Sequence, residues 1–227
     1  TDLMDAMRRQ AEKFGAEIVT DRATAVDLRS RPFRVTFGGR TEEAQAVILS
    51  TGASPRHLGL PGETELTGRG VSTCATCDGA FFRNQEIAVV GGGDSAREEA
   101  NFLSRFGSKV HVIHRRNEFR ASKVMVERTR KNPKIGLVLE SVPVRILGVE
   151  RNKLAGVEVE HVKTKARRTL GVGGLFVAIG HEPNTALFRG QVELDPQGYV
   201  LWKTNAMTSV EGVFACGDCV DHRYRQA

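Results

Sequence analysis

Residues 87–96 read Ile-Ala-Val-Val-Gly-Gly-Gly-Asp-Ser-Ala, a short apolar run followed directly by three glycines. The apolar half predicts a buried strand, and small and apolar residues at helical spacing predict a helix over 95–106. A second apolar run, 109–113, predicts the next strand. A strand, glycine loop, helix and strand in this order predict an α/β fold of the Rossmann type.

The glycine loop itself fits the pattern G-x-G-x-x-A. Gly91 permits the turn, Gly93 lets the backbone approach a pyrophosphate, and Ala96 lets the helix pack closely on the strand. The free N–H groups at the positive end of the helix then bind the phosphates. The predicted contacts of the loop with a dinucleotide are Gly91, Gly93, Asp94, Ser95 and Ala96.

The end of the second strand indicates which dinucleotide is bound. An NAD site usually has Asp or Glu there for the ribose 2′-hydroxyl, but this chain has His114, Arg115 and Arg116. Two guanidiniums suit a 2′-phosphate through paired, charge-assisted hydrogen bonds. NADPH is therefore favoured over NADH, and an arginine pair on an ordinary surface is the alternative.

A C-x-x-C motif, Cys74-Ala-Thr-Cys77, precedes the Rossmann strand and is followed by Asp78. This spacing beside a βαβ unit is typical of an exchangeable disulfide, and Asp78 is a candidate proton donor or acceptor for the thiolate. A second pair, Cys216 and Cys219, leaves a four-cysteine zinc site as an alternative. Its great distance along the sequence argues against that site, so no metal is predicted.

A dithiol and NADPH together require a further cofactor. Nicotinamide delivers a hydride, which a disulfide does not readily accept, and a flavin is the usual relay. The combination of the two motifs therefore predicts FAD.

The apolar strands 47–49 and 175–179 are each followed by Gly-x-x-Pro, beginning at Gly52 and Gly180. We interpret these as the points where the chain leaves and re-enters one domain, although two unrelated strand ends remain an alternative. The predicted segments are therefore a first domain over 1–56 and 178–227, with a second domain inserted between them over 57–177. Within the first segment the spacing predicts a helix over 2–14 and strands over 17–20, 23–28 and 33–37.

Composition narrows the class of protein. Hydrophobic residues make up 40% and charged residues 26% of the 227 residues, as expected of a globular protein. The net charge of +6 comes from scattered basic residues, with only 6% aromatics, so no nucleic-acid partner is expected. No apolar run is long enough for a membrane span, and no signal peptide is evident. The four cysteines lack the dense, scattered pattern of a secreted disulfide scaffold, so a cytoplasmic location is expected. Both ends look cut, which predicts a fragment of a longer protein.

With these motifs the chain resembles the bacterial-type, low-molecular-weight thioredoxin reductases along its whole length. The segments that carry the resemblance are 74–79 (CATCDG), 91–96 (GGGDSA), 114–121 (HRRNEFRA), 180–185 (GHEPNT), 212–218 (GVFACGD) and 224–227 (YRQA). The resemblance implies two Rossmann-like domains, in which the NADPH domain is inserted in the FAD domain. It also implies a homodimer and thioredoxin as the substrate.

The resemblance assigns roles to individual residues. It implies that Cys77 faces the flavin, that Cys74 exchanges with thioredoxin, and that Asp78 is the acid. Arg120 would join Arg115 and Arg116 at the 2′-phosphate. Asp218, Arg225, Gln226 and Ala227 are expected near the flavin. The other residues expected to contact a cofactor are Gly52, His114, Gly180 and Gly217.

Two departures from the family leave alternatives open. The glycine fingerprint that binds FAD near the family's N-terminus and the helix after Ala227 are missing from this sequence. Cys216 and Cys219 stand where small apolar residues are expected; we interpret them as buried free thiols, with a second redox pair or a metal site as the alternative.

Two alternative functions remain open. One is a flavin disulfide reductase or oxidase that acts on another dithiol, and the other is an NADPH-binding module without turnover.

Overall fold

The structure, a computed structural model, describes residues 2–119 and 121–222. It divides into two compact units, and each is considered by itself. Unit 1 comprises Thr1–Ala53 and Pro183–Ala227, and unit 2 comprises Ser54–Glu182. The chain thus passes between the units twice, near the two Gly-x-x-Pro segments. Which cofactor each predicted domain holds stays a prediction at this point.

Over the described residues the helices are α1 Asp2–Lys13, α2 Ala75–Asp78, α3 Asp94–Leu103 and α4 Lys123–Lys131. The strands of the first segment are β1 Ala23–Asp27, β2 Phe33–Phe37, β3 Arg40–Ala44, β4 Val47–Leu49 and β5 Ala53–Pro55. Those that follow are β6 Val71–Ser72, β7 Glu86–Val90, β8 Lys109–Ile113, β9 Ile135–Val138, β10 Ser141–Leu147, β11 Gly156–His161, β12 Arg167–Leu170, β13 Gly174–Val177, β14 His181–Pro183 and β15 Val213–Ala215.

Unit 2 is built on a five-stranded sheet in the order β6-β13-β7-β8-β9, and each of its strand pairs is parallel. A parallel sheet is buried on both faces, and β7 shows why the sequence there is continuously apolar. Ile87 and Val89 pack with α3 residues on one face. Ala88 and Val90 pack on the other face, against the antiparallel sheet β10-β11-β12. The α/β class predicted from the sequence is confirmed.

Unit 1 contains an antiparallel sheet, β1-β2-β3, and a parallel pair, β4 and β15. Its core joins residues from both segments of the chain, including Leu28, Phe33, Leu49, Phe188 and Val213. In the parallel pair, Val213 lies beside Val47 and Ala215 beside Leu49. The carboxyl ends of β4 and β15 therefore lie at the same edge.

Two local predictions are wrong, and one strand was not predicted. Residues 17–20 are irregular rather than a strand, and their apolar side chains Ile18 and Val19 are exposed. The third strand of that sheet is instead β3, which is largely charged and exposed and so lacks the apolar alternation that marks a strand. The sequence also predicts a helix over 119–131 that ends at Asn132-Pro133. The observed helix α4 begins only at Lys123, because Phe119 is stacked on the His114 ring in the preceding loop.

Helix α1 has its predicted limits almost unchanged, yet none of its residues is buried. Its apolar side chains at the predicted helical spacing, Leu3, Met4 and Met7, are more than half exposed. In the described part of the chain, no helix combines the length and the apolar character that crossing a membrane would require.

Candidate active site

The glycine loop between β7 and α3 has the geometry of a phosphate cradle. Gly91 has φ +158°, and a Cβ there would overlap the carbonyl oxygen of Ala178 and lie 2.6 Å from the Cβ of Ala96. At Gly93, which precedes the first residue of α3, a Cβ would meet nothing within 4 Å. The loop is therefore closed on the protein side and open at the helix N-terminus, as a bound pyrophosphate requires.

Of the polar residues predicted in this loop, Ser95 is exposed in the first turn of α3. Asp94 is the first residue of α3 and is exposed. Its Oδ1 accepts hydrogen bonds from the backbone N–H of Ser122 at 2.9 Å and from the Ser122 hydroxyl at 3.1 Å. Asp94 thus fastens the start of α3 to the residue that precedes α4.

His114, at the end of β8, is buried beneath the loop rather than presented to solvent. Its ring occupies the space where a Cβ on Gly92 would lie, it stacks on Phe119 with 5.2 Å between ring centroids, and its Nε2 lies 3.0 Å from the carbonyl oxygen of Glu118. Burial lowers the pKa of His114, and neighbouring arginines lower it further. The ring thus packs directly against the glycine loop, and its predicted contact with the cofactor stays a prediction.

Arg115 and Arg116 follow and are exposed. They line a pocket of about 380 Å³ together with Asn117, Glu118, Phe119, Glu140 and Lys163. A pair of guanidiniums on one concave surface fits a phosphate group. Arg120, predicted to join them, lies outside the described residues.

Glu140 and Lys163 are pocket residues that the sequence did not reveal. The backbone N–H of Glu140 donates to the carbonyl oxygen of Arg116 at 3.2 Å, and the Nζ of Lys163 lies 2.5 Å from the Glu140 carboxylate. The hydrogen bond from Lys163 lowers the pKa of Glu140. Glu140 directly precedes β10, and Lys163 lies in the turn that follows β11. Both are outside the Rossmann motif, and no pattern in the sequence connects them with it.

The C-x-x-C motif forms a disulfide, Cys74–Cys77. Cys74 is the N-cap of α2, and its Sγ accepts a hydrogen bond from the backbone N–H of Cys77 at 3.2 Å. The hydroxyl of Thr76 lies 3.3 Å from the same sulfur. Cys74 is half-buried and Cys77 is exposed. Asp78 is the last residue of α2 and is half-buried.

At the carboxyl edge of β4 and β15 in unit 1, two predicted glycines leave open space. Gly52 and Gly217 have φ of +69° and +75°, and a Cβ on either would meet nothing within 4 Å. Asp218 follows and is half-buried. The carboxyl ends of parallel strands are where α/β sheets bind nucleotides, so these residues fit the approach of FAD. Arg225, Gln226 and Ala227 lie outside the described residues.

Gly180, by contrast, belongs to unit 2; it has φ +103°, and a Cβ there would meet nothing within 4 Å. Its carbonyl oxygen accepts the backbone N–H of Arg56 at 2.9 Å. This bond joins residues near the two ends of unit 2, which spans Ser54–Glu182, so Gly180 lies close to where the chain leaves that unit.

The second cysteine pair is not a disulfide. Cys219 is buried, as expected, and its thiol donates toward the carbonyl oxygens of Leu49 and Cys216. Cys216 is exposed, and the expectation that both thiols are buried is wrong. The chain turns out of β15 at Cys216, so its side chain points away from the core. Within 2–119 and 121–222, no three His, Cys, Asp or Glu side chains form a group that could hold a metal ion.

Two ionisable side chains on α3, one buried and one half-buried, were not expected. Arg97 is fully buried beside Phe119, and burial, with repulsion from Arg130, lowers the pKa of Arg97 to about 10. Burial, with repulsion from Glu98, raises the pKa of Glu99 to about 7. Charged residues of a helix are ordinarily expected on its exposed face, so no sequence pattern indicated that Arg97 or Glu99 would be removed from solvent.

Comparison with known proteins agrees with this geometry. Residues 5–227 match the family described as pyridine nucleotide-disulphide oxidoreductase. The chain belongs to this family. It is 53% identical to the thioredoxin reductase of Streptomyces coelicolor over 228 residues, covering 100% of this chain and 70% of that protein.

Two further similarities come from a two-function protein and from a solved structure. The bifunctional thioredoxin reductase/thioredoxin of Mycobacterium leprae is 52% identical, over 100% of this chain and 49% of its own length. The structure of thioredoxin reductase from Giardia duodenalis superimposes with a TM-score of 0.84 at 42% identity, covering 99% of this chain and 74% of that one. The resemblance inferred from the sequence motifs is confirmed.

Proposed function

We propose that this protein is a thioredoxin-disulfide reductase, which passes electrons from NADPH through FAD to the Cys74–Cys77 disulfide and on to thioredoxin. The observation that carries the proposal is the disulfide itself, capping a helix in the same unit as an open dinucleotide loop. Membership of the pyridine nucleotide-disulphide oxidoreductase family supports it, as do the names of its relatives.

In the reduced protein, Cys74 is the nucleophile toward the substrate. Its sulfur already accepts the Cys77 N–H and lies at a helix N-terminus, and both features favour a thiolate. The Cys74 thiolate attacks one sulfur of the substrate disulfide, and the other substrate sulfur leaves as a thiolate and takes up a proton. The Cys77 thiolate then attacks the Cys74 sulfur, which re-forms the Cys74–Cys77 disulfide and releases the substrate as a dithiol.

Asp78 handles the proton in this proposal. It directly follows Cys77, and its backbone N–H donates to the carbonyl oxygen of Cys74 at 3.2 Å, so its position relative to the dithiol is fixed. As general acid it protonates the departing substrate thiolate, and it recovers its proton from solvent. It is half-buried, so water can reach it.

The cofactors are held by the residues whose geometry fits them. The open loop at Gly91, Gly93 and Ala96 would hold the pyrophosphate of NADPH, and Arg115 with Arg116 would hold its 2′-phosphate. Gly52, Gly217 and Asp218 would line the FAD site. FAD, when bound, takes two electrons from the nicotinamide and delivers them to the disulfide.

The proposal is tested by supplying the purified protein with FAD, NADPH and oxidised thioredoxin. Disappearance of NADPH absorbance should match the thiols that appear in thioredoxin, one NADPH for two thiols. NADPH consumption with a small-molecule disulfide but not with thioredoxin would assign the enzyme to another substrate. NADPH binding without turnover in the presence of FAD would overturn the assignment as an enzyme.

We further propose a cytoplasmic homodimer, as the resemblance implies. Light scattering on the purified protein measures the mass directly, and fractionation of the cells that produce the protein locates it. A monomer at micromolar concentration, or recovery with the membranes, would contradict this part of the proposal.

A further inference from the structure

Arg97 is the largest fully buried side chain in the described part of the protein. Its three guanidinium nitrogens have no hydrogen-bond partner within the described residues. A buried cation without a partner is strongly unfavourable, and no acidic side chain among those residues is paired with Arg97. Arg130 on α4 instead adds a like charge nearby.

One contact offsets part of this cost. The guanidinium carbon of Arg97 lies 3.1 Å from the centroid of the Phe119 ring, which is a cation–π contact in a desolvated position. Phe119 also stacks on the His114 ring, with 5.2 Å between the ring centroids. His114 in turn packs on Gly92 of the glycine loop.

These contacts form a chain of neighbouring side chains, which we call the Arg97 stack. It consists of Gly92, His114, Phe119 and Arg97. The stack starts at the glycine loop and ends on α3, the helix that this loop begins. Between His114 and Phe119 the chain carries Arg115 and Arg116, which line the same pocket as Phe119. The stack therefore fixes the two phosphate-binding arginines relative to the loop that receives the pyrophosphate.

We propose that Arg97 is a positioning residue for recognition of the 2′-phosphate of NADPH: it holds the Arg115–Arg116 loop through Phe119 and keeps a positive charge beneath the site that an anion offsets. This inference rests on the proposed function. It explains why a cation occupies a position where a leucine or methionine would cost less. Arg97, Arg115 and Arg116 all place positive charge around His114, and a dianionic phosphate would offset it.

The test measures binding at equilibrium, with 2′,5′-ADP and 5′-AMP as probes that differ by the 2′-phosphate alone. Isothermal titration calorimetry is done on the full protein and on Arg97→Met and Arg97→Lys variants. Arg97→Met should weaken 2′,5′-ADP about tenfold while changing 5′-AMP less than about twofold. Arg97→Lys keeps the charge and the cation–π contact, and should recover most of the lost affinity.

Arg83→Met is the matched control, because it removes another arginine stacked on a phenylalanine, Phe106, at 5.0 Å. It should bind both probes as the unmodified protein does. Equal weakening of both probes by Arg97→Met, or no weakening of 2′,5′-ADP, would overturn the inference. Failure of the lysine variant to recover affinity would also overturn it, since the charge would then have no part.

Should Arg97→Met not fold, Phe119→Leu removes the ring while leaving the charge, and it should also weaken 2′,5′-ADP selectively. Unchanged binding by a folded Phe119→Leu variant would contradict the role of the stack. Binding of 2′,5′-ADP by the unmodified protein distinguishes failure of the proposed NADPH site from failure of the proposed role of Arg97. If it does not bind 2′,5′-ADP at all, the NADPH site itself is wrong; if it binds and Arg97→Met binds equally, only this inference fails.

Discussion

The backbone N–H of Cys77 donates a hydrogen bond to the Sγ of Cys74 at 3.2 Å, within the disulfide that joins the two residues. The sulfur that caps α2 is therefore distinguished from its partner before the bond is opened. Hydrogen bonding and a helix N-terminus both stabilise a thiolate, which makes the two cysteines chemically unequal although their sequence spacing is symmetrical.

Cys74→Ser and Cys77→Ser should each abolish reduction of thioredoxin, because a single thiol cannot complete the exchange and re-form the disulfide. Binding of 2′,5′-ADP should be unchanged in both variants, since the glycine loop is intact. Cys216→Ser is the control, because Cys216 is an exposed thiol outside the disulfide. A near-normal rate in either disulfide variant, or a complete loss in the control, would contradict the assignment.

Replacing both Arg115 and Arg116 by Gln should weaken NADPH far more than NADH. Each guanidinium bound to phosphate contributes about 1.5–3 kcal/mol, and a glutamine amide carries no charge. The comparison is made on dissociation constants for the two coenzymes. A double variant with Arg151→Gln and Arg168→Gln serves as the control, because it removes two positive charges from exposed positions. Equal losses for both coenzymes would show that the arginines do not contact the 2′-phosphate.

Alanine substitutions at two glycines of the loop should have separate effects, one on the free energy of unfolding and the other on NADPH binding. Gly91→Ala should destabilise the protein by about 3 kcal/mol, because its Cβ would overlap the Ala178 carbonyl. Gly93→Ala should leave stability within about 0.5 kcal/mol, because φ is −89° there and the space is open. It should nevertheless weaken NADPH about tenfold, since a Cβ would occupy the surface that the pyrophosphate approaches.

Urea unfolding and calorimetric titration provide these two readouts. Gly171→Ala is the matched control, because a Cβ on Gly171 also meets nothing within 4 Å and this glycine lies in the same unit. Unchanged NADPH binding by Gly93→Ala would remove the loop from the coenzyme site.

Glu99 predicts a dependence of stability on pH. Its folded pKa, about 7, lies above the ordinary value of 4.5, so the folded state binds the proton more tightly than the unfolded state. The stability this provides is present below pH 4.5 and is lost as the pH rises through 7. The largest loss is about 3 kcal/mol, and it is smaller to the extent that water reaches the carboxyl.

The Glu99→Gln variant isolates this effect, because its amide has the shape of the neutral acid and does not titrate. The difference in unfolding free energy between variant and unmodified protein should grow in favour of the variant from pH 5 to pH 8. Glu65→Gln is the control, because Glu65 is exposed, lies in the same unit and does not contribute to the pKa of Glu99. A constant difference across this range would show that Glu99 ionises normally in the folded state.

Several features of the fold and site were predictable because they depend on residues close together in sequence. The strand, glycine loop and helix around Gly91 follow from apolar periodicity and from the conformations open to glycine. The disulfide between Cys74 and Cys77 is similarly local, since two intervening residues bring the sulfurs within reach. The strand β3 was missed because its residues are charged, and its place in the sheet comes from pairing with β2.

By itself, then, the sequence determined the α/β class, the disulfide motif and the family, since these depend on periodicity, spacing and local conformation. The tertiary structure alone decided that His114 is buried against the loop, that Glu140 and Lys163 line the arginine pocket, and that Arg97 is buried. Each of these depends on burial and on contacts between distant segments. Desolvation and stacking act through space, and no residue pattern along the chain encodes which charged side chain the folded protein will enclose.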